Sequence, residues 1–125
     1  MAAVRILLVD DVEEVRRDLR LLLDLTNDFE IIGEASNGLE AIHKAKVLQP
    51  EVVLMDLEMP VLDGYEAAAQ IKMMVPNCRI VALTVHDYPG ARQKSLKSGF
   101  DAFVVKGEPF TVLTQAILKI RKELP

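Results

Sequence analysis

The sequence predicts an α/β fold, a doubly wound parallel sheet of (βα)5 form with helices on both faces. Three observations carry this expectation. Short apolar runs alternate five times with segments of helical periodicity, and the connections between them are short. Three of the runs, Val4–Val9, Val52–Met55 and Arg79–Thr84, are almost continuously apolar, which suits strands buried on both faces. The other two, Phe29–Ala35 and Ala102–Val105, are weaker and suit edges. With right-handed crossovers, this assignment gives the strand order 2-1-3-4-5.

Taken in order, Val4–Val9 is apolar apart from Arg5 and ends at Asp10-Asp11. The next segment places Val12, Val15, Leu19, Leu22 and Leu23 at helical spacing. Glu13 and Arg17 stand four apart, in the favoured order for a surface pair. Thr26-Asn27-Asp28 breaks the pattern. In Phe29–Ala35, strict alternation puts Glu30 and Glu34 on one face and Gly33 interrupts the run, both marks of an edge strand. Ser36-Asn37-Gly38 turns the chain. Leu39, Ile42, Ala45 and Leu48 then mark a second helix, stopped before Pro50.

The third run, Val52–Met55, stops at Asp56. Met59-Pro60 blocks a direct entry into helix, and Asp63 caps a third helix carrying Tyr65, Ala68, Ala69, Ile71 and Lys72. Pro76-Asn77 ends it. After Arg79–Thr84, the segment Asp87-Tyr88-Pro89-Gly90 opens a fourth helix with only Ala91 and Leu96 to bury. This helix is expected to be the least firmly held. Gly99 suits its C-terminal cap. Ala102–Val105 leads to Lys106-Gly107. Phe110 to Leu124 closes the chain as an amphipathic helix with Val112, Leu113, Ala116, Ile117 and Ile120 inward.

Composition narrows the function. At 125 residues the chain makes one domain with room for a core. A net charge of −4 argues against a phosphate-binding surface, and 5% aromatics without Trp argue against a base-stacking platform. Cys78 is the one cysteine, so no internal disulfide forms and a reducing compartment fits. The first strand begins too early to leave room for a signal peptide, and no apolar run is long enough to span a bilayer. A cytoplasmic protein without membrane contact is the expectation.

The predicted topology brings four strand ends together, carrying Asp10 and Asp11, then Asp56, Thr84 and Lys106. In open α/β sheets, ligands bind at such carboxyl ends. Like-charge carboxylates at ~4 Å and an effective dielectric near 20 repel by about 4 kcal/mol, so the cluster must hold protons or a cation. A hard divalent ion such as Mg²⁺ takes one or two carboxylates, waters and a phosphate. Thr84 offers a hydroxyl, and Lys106 a mobile ammonium, for phosphoryl oxygens. The combination suits phosphoryl transfer to the Asp56 carboxylate. Each residue alone has a plainer explanation: Asp10-Asp11 as a helix cap, Asp56 in an Asx turn, Lys106 as a snorkelling surface lysine, Phe103 as core. Capping alone does not account for the whole set in this order.

The motifs L-L-V-D-D, V-V-L-M-D-L-E-M-P-V-L-D-G, A-L-T and F-V-V-K-G, in this order and spacing, resemble the receiver (CheY-like) domain of bacterial two-component response regulators, a flavodoxin-like fold. G-E-A-S-N-G-L-E-A-I and K-G-E resemble the NarL/FixJ type, whose members usually carry a helix-turn-helix DNA-binding domain after the receiver. The likeness covers essentially residues 1–125. It implies that Asp56 accepts a phosphoryl group from a histidine kinase. It also implies that Asp11, Asp56 and the Glu58 carbonyl ligate Mg²⁺ directly, Asp10 acting through a water. Thr84 and Phe103 would form the switch pair that alters the surface of the last two helices and last strand. The resemblance further implies transcriptional output through a DNA-binding domain outside this chain, and homodimerisation on phosphorylation.

The chain departs from the common pattern at Gly107, where many receivers have a proline, at Val85, where a smaller residue is usual, and at Glu58 and His86. Val85 and Glu58 are expected to set the lifetime of the phosphorylated form; an unchanged hydrolysis rate in Val85→Ala would count against this. A dehalogenase-type phosphatase resembles D-x-D on its first strand, whereas this chain reads D-D-V. A flavin or nucleotide binder would need a Gly-rich phosphate loop where Asp10-Asp11 stand.

Overall fold

The third strand is the spine of the molecule, and its four residues are all buried. In the computed structural model, which describes residues 2–85 and 87–122, five strands and five helices alternate. They are β1 (Val4–Val9), α1 (Glu13–Leu23), β2 (Phe29–Ala35), α2 (Gly38–Leu48), β3 (Val52–Met55), α3 (Gly64–Met74), β4 (Arg79–Thr84), α4 (Ala91–Ser98), β5 (Ala102–Val105) and α5 (Phe110–Lys122). The sheet is parallel throughout, in the order β2-β1-β3-β4-β5, as the distribution of apolar runs predicts.

Two apolar layers explain why the central runs lack alternation. Leu7, Val9, Val53, Met55, Ile80 and Ala82 face α2 and α3 on one side. Ile6, Leu8, Val52, Leu54, Val81 and Leu83 face the other side, with Leu23 of α1 and Leu113, Ile117 and Ile120 of α5. A strand covered on both faces has no solvent side on which to place polar residues.

The edge strand β2 corrects one expectation. Ile6 pairs with Ile31, but Leu7 pairs with Gly33, so Ile32 is an extra residue and the register shifts there. A bulge reverses the facing of every later side chain. Glu30 pairs with Arg5 and Glu34 with Leu8, three residues apart on β1, so the two glutamates lie on opposite faces. Phe29 accordingly joins the α1/α5 layer and Ala35 the α2/α3 layer. Gly33 sits tight against Leu48 and Leu7, where a Cβ would have to displace the Leu48 methyl. Glu34 reaches α1, where it pairs with Arg16 at 3.0 Å and with Arg20.

The helices differ from their sequence patterns in detail. Val12 is the exposed N-cap of α1, and Leu22 and Leu39 are also exposed, so the inward stripes are narrower than the apolar spacing suggests. On α3, Ala67 is buried and Ala69 exposed. The start of α2 closes on the loop before α3: Gly38 donates its N–H to the Leu62 carbonyl at 3.1 Å, and a Cβ on Gly38 would overlap that carbonyl. Asp63 caps α3 as predicted, accepting the Glu66 N–H at 2.9 Å. On α4, Leu96 is 61% exposed and Ser95 is buried in its place. That helix has eight residues, no side-chain N-cap and only Ala91 and Ser95 buried, consistent with the weakest hold. Gly99 closes it at φ 109°. On α5 the inward stripe includes Leu113, Ile117 and Ile120, and Leu124 lies outside the described residues.

Candidate phosphoryl-accepting acidic site

Backbone ladders run on past the strand ends and fix the site residues. Asp10 donates its N–H to the Ala35 carbonyl at 3.1 Å, Asp56 to Val9 at 3.1 Å, and Lys106 to Thr84 at 2.8 Å. The strands thus deliver Asp10, Asp56, Thr84 and Lys106 to one edge of the sheet. Asp10, Asp56 and Thr84 are buried, while Asp11 is exposed. One oxygen from each of Asp10, Asp11 and Asp56 lies within 4.8 Å of the others.

Each buried carboxylate divides its oxygens between backbone and lysine. Asp10 Oδ1 accepts the Val12 N–H at 2.9 Å and Asp56 Oδ1 accepts the Leu57 N–H at 2.7 Å. Lys106 Nζ donates to Asp10 Oδ2 at 2.6 Å and to Asp56 Oδ2 at 3.2 Å. Burial works to lower the Lys106 pKa, but the hydrogen bonds and charges of the two carboxylates outweigh it and hold the ammonium above its usual range. Three carboxylates against one ammonium leave excess negative charge. Clustered hard oxygen donors of this kind fit a divalent cation such as Mg²⁺.

The loop from β3 to α3 presses on the site. Gly64 donates its N–H to the Leu57 carbonyl at 2.7 Å, and a Cβ on Gly64 would overlap the Asp56 carbonyl. Only glycine fits this close approach. Within the same loop Val61 has φ 72°, and Leu62 donates back to the Pro60 carbonyl at 2.8 Å. A β-branched residue there is strained.

This arrangement matches known proteins. The sequence profile of the response regulator receiver domain matches residues 6–118. The chain belongs to the response regulator receiver family. The receiver is 36% identical over 116 residues to the response regulator protein VraR of Staphylococcus saprophyticus, covering 93% of this chain and 56% of that relative. It thus spans about half the length of the curated relatives it matches. Its fold superposes on the receiver domain of the response regulator NarL from Mycobacterium tuberculosis with a TM-score of 0.92, at 29% identity over 98% of both chains. A LuxR-family DNA-binding response regulator from Staphylococcus aureus gives 0.87, at 30% identity over 94% of this receiver and 98% of that chain. Receiver domains of this kind are signalling switches of two-component systems and bind Mg²⁺ at an acidic pocket.

The remaining sequence-predicted residues surround the cluster. Glu58 is exposed two residues beyond Asp56. Phe103 is half-buried and packs against the α2/α3 layer, opposite Ala82 on β4. Val85 is 63% exposed just beyond Thr84. Gly107 adopts φ 99°. His86 lies outside the described residues.

Sequence reading missed a set of aromatic contacts beside the site. The Tyr65 and Tyr88 hydroxyls lie 2.9 Å apart, and the Arg92 guanidinium stands 4.5 Å from the Phe103 ring centroid. Burial, the bond to Tyr88 and the negative charges of Glu58 and Asp63 all push the Tyr65 phenol upward, so it keeps its proton. These pairs join distant segments, and no spacing in the chain announces them.

Proposed function

We propose that residues 1–125 form a receiver domain in which Asp56 accepts a phosphoryl group from a sensor histidine kinase. The observation that carries this reading is the hydrogen-bonded trio of Lys106, Asp10 and Asp56 at the carboxyl ends of β1, β3 and β5. One Asp56 carboxylate oxygen forms a bond to phosphorus while the donor's leaving group departs with the electron pair of the broken bond. The product is an aspartyl phosphate. Lys106 is already within reach of Asp56 and would redirect its ammonium hydrogen bond to a phosphoryl oxygen. Thr84, at the end of β4, would bind a second phosphoryl oxygen.

Asp11, Asp56 and the Glu58 backbone carbonyl would hold Mg²⁺ directly, with Asp10 acting through a water. The ion, when bound, offsets the negative charge of the cluster and of the entering phosphoryl group. Thr84 and Phe103 form the switch pair, and their movement alters the surface made by α4, β5 and α5. The domain is a phospho-accepting switch that catalyses its own phosphorylation and dephosphorylation, rather than an enzyme acting on other molecules. Its output is transcription, through a DNA-binding domain outside this chain, with homodimerisation on phosphorylation. The setting is cytoplasmic; no helix among the described residues is long and apolar enough to cross a membrane.

The test is incubation with acetyl phosphate and Mg²⁺ followed by intact-mass measurement. One phosphoryl adduct per chain is expected, prevented by EDTA pretreatment and absent from Asp56→Asn. An unmodified wild-type chain would refute the proposal.

A further inference from the structure

The β4–α4 loop and the first turn of α4 are each tied to another element. Tyr88, four residues beyond Thr84, shares a 2.9 Å hydroxyl–hydroxyl hydrogen bond with Tyr65. Tyr65 is itself packed on several sides. It is buried, its ring meets Phe100 edge to face at 6.5 Å, and it follows Gly64, which abuts the Asp56 carbonyl. Lys94 Nζ covers the same ring at 4.1 Å. The second tie is Arg92, in the first turn of α4, stacked at 4.5 Å on Phe103. The same guanidinium also pairs with Asp87 in the loop at 3.8 Å, and the helix has no N-terminal side-chain cap and two buried residues.

We infer that the Tyr65–Tyr88 bond and the Arg92–Phe103 stack form a latch that stabilises the unphosphorylated arrangement of the β4–α4 loop. This inference rests on the receiver reading, since it concerns the movement of Thr84 and Phe103. Drawing Thr84 toward a phosphoryl group on Asp56 pulls the following residues with it. Tyr65 is fixed by packing and cannot follow, so the hydroxyl pair parts. Rotating Phe103 inward removes the ring from beneath the Arg92 guanidinium. Contacts made in one state and lost in the other set the balance between the two states. Tyr65, Tyr88 and Arg92 are positioning residues, acting through the loop and through Phe103 rather than on the phosphoryl group.

The test uses the whole chain, with acetyl phosphate as donor and the rate of adduct formation as readout. Losing one net hydrogen bond of ordinary strength makes Tyr88→Phe about fivefold faster than wild type. Tyr65→Phe should match it, and the double variant should gain nothing more, because both changes delete the same bond. Arg92→Gln should also be faster, while Arg92→Lys, which keeps a cation over the ring, should stay near wild type. Mg²⁺ affinity should be unchanged in all of them. A merely structural bond would lower the urea midpoint and leave these rates alone. Equal or slower rates in Tyr88→Phe and Arg92→Gln, with a wild type that is phosphorylated normally, overturn the latch and leave the receiver reading standing. A wild type that takes no phosphoryl group overturns both.

Discussion

Asp11 shows how the charge balance of the site works at the scale of single residues. It is the exposed member of the acidic trio, and Lys106 engages the other two. Asp11→Asn therefore removes repulsion without breaking the lysine bridge. In Mg²⁺-free buffer its unfolding free energy should rise by about 1 kcal/mol, and its Mg²⁺ affinity should fall. Urea titrations with and without the ion check both. Lys106 makes a prediction in pH. Its folded pKa is raised, so the folded state binds that proton more tightly than the unfolded chain. The resulting stability is complete below the unfolded lysine value of about 10.4 and is lost as pH rises through the folded value. The urea midpoint should fall across that alkaline range, and should fall less in Lys106→Met. Equal slopes would show that the bridge contributes nothing. Asp10, Asp56 and Lys106 were legible as a set because each ends a recognisable strand. The aromatic contacts of Tyr65, Tyr88, Arg92 and Phe103 were not, because only folding brings them together.

At the scale of the element, the loop from β3 to α3 carries the strain. Val61 is exposed and holds φ 72°, where a β-branched side chain is disfavoured. Relief of that strain should exceed the backbone entropy lost by glycine, so Val61→Gly should stabilise the fold by about 1 kcal/mol. Destabilisation on chemical unfolding would mean that the Val61 side chain contributes more than its geometry costs. The sequence offered no sign of this, since M-P-V-L-D-G reads as an ordinary turn before a capped helix. β2 carries the same lesson. Gly33 signals an irregularity, but only the pairing of Leu7 with Gly33 shows that an extra residue turns Glu34 toward Arg16. On α4, the apolar pattern was too sparse to set a face, and the buried position went to Ser95, whose hydroxyl bonds to the Arg92 carbonyl at 2.7 Å.

The whole molecule obeys a simpler logic. Three strands rich in apolar residues occupy the middle of the sheet, two weaker ones the edges, and the order follows from those facts and right-handed crossovers. That order was legible because burial on both faces leaves a strong mark on sequence. It also explains why residues far apart in the chain, Asp10 and Lys106, come to lie 2.6 Å apart. We propose that this assembly makes one carboxylate, on Asp56, the phosphoryl acceptor. The most direct measurement traps the acyl phosphate with borohydride after acetyl phosphate and Mg²⁺ treatment, then sequences the peptides by mass spectrometry. Reduction of the acceptor aspartate to homoserine at position 56 alone is the predicted result. Homoserine at position 10 or 11 would contradict the account, as would its absence from a chain shown to carry the phosphoryl group.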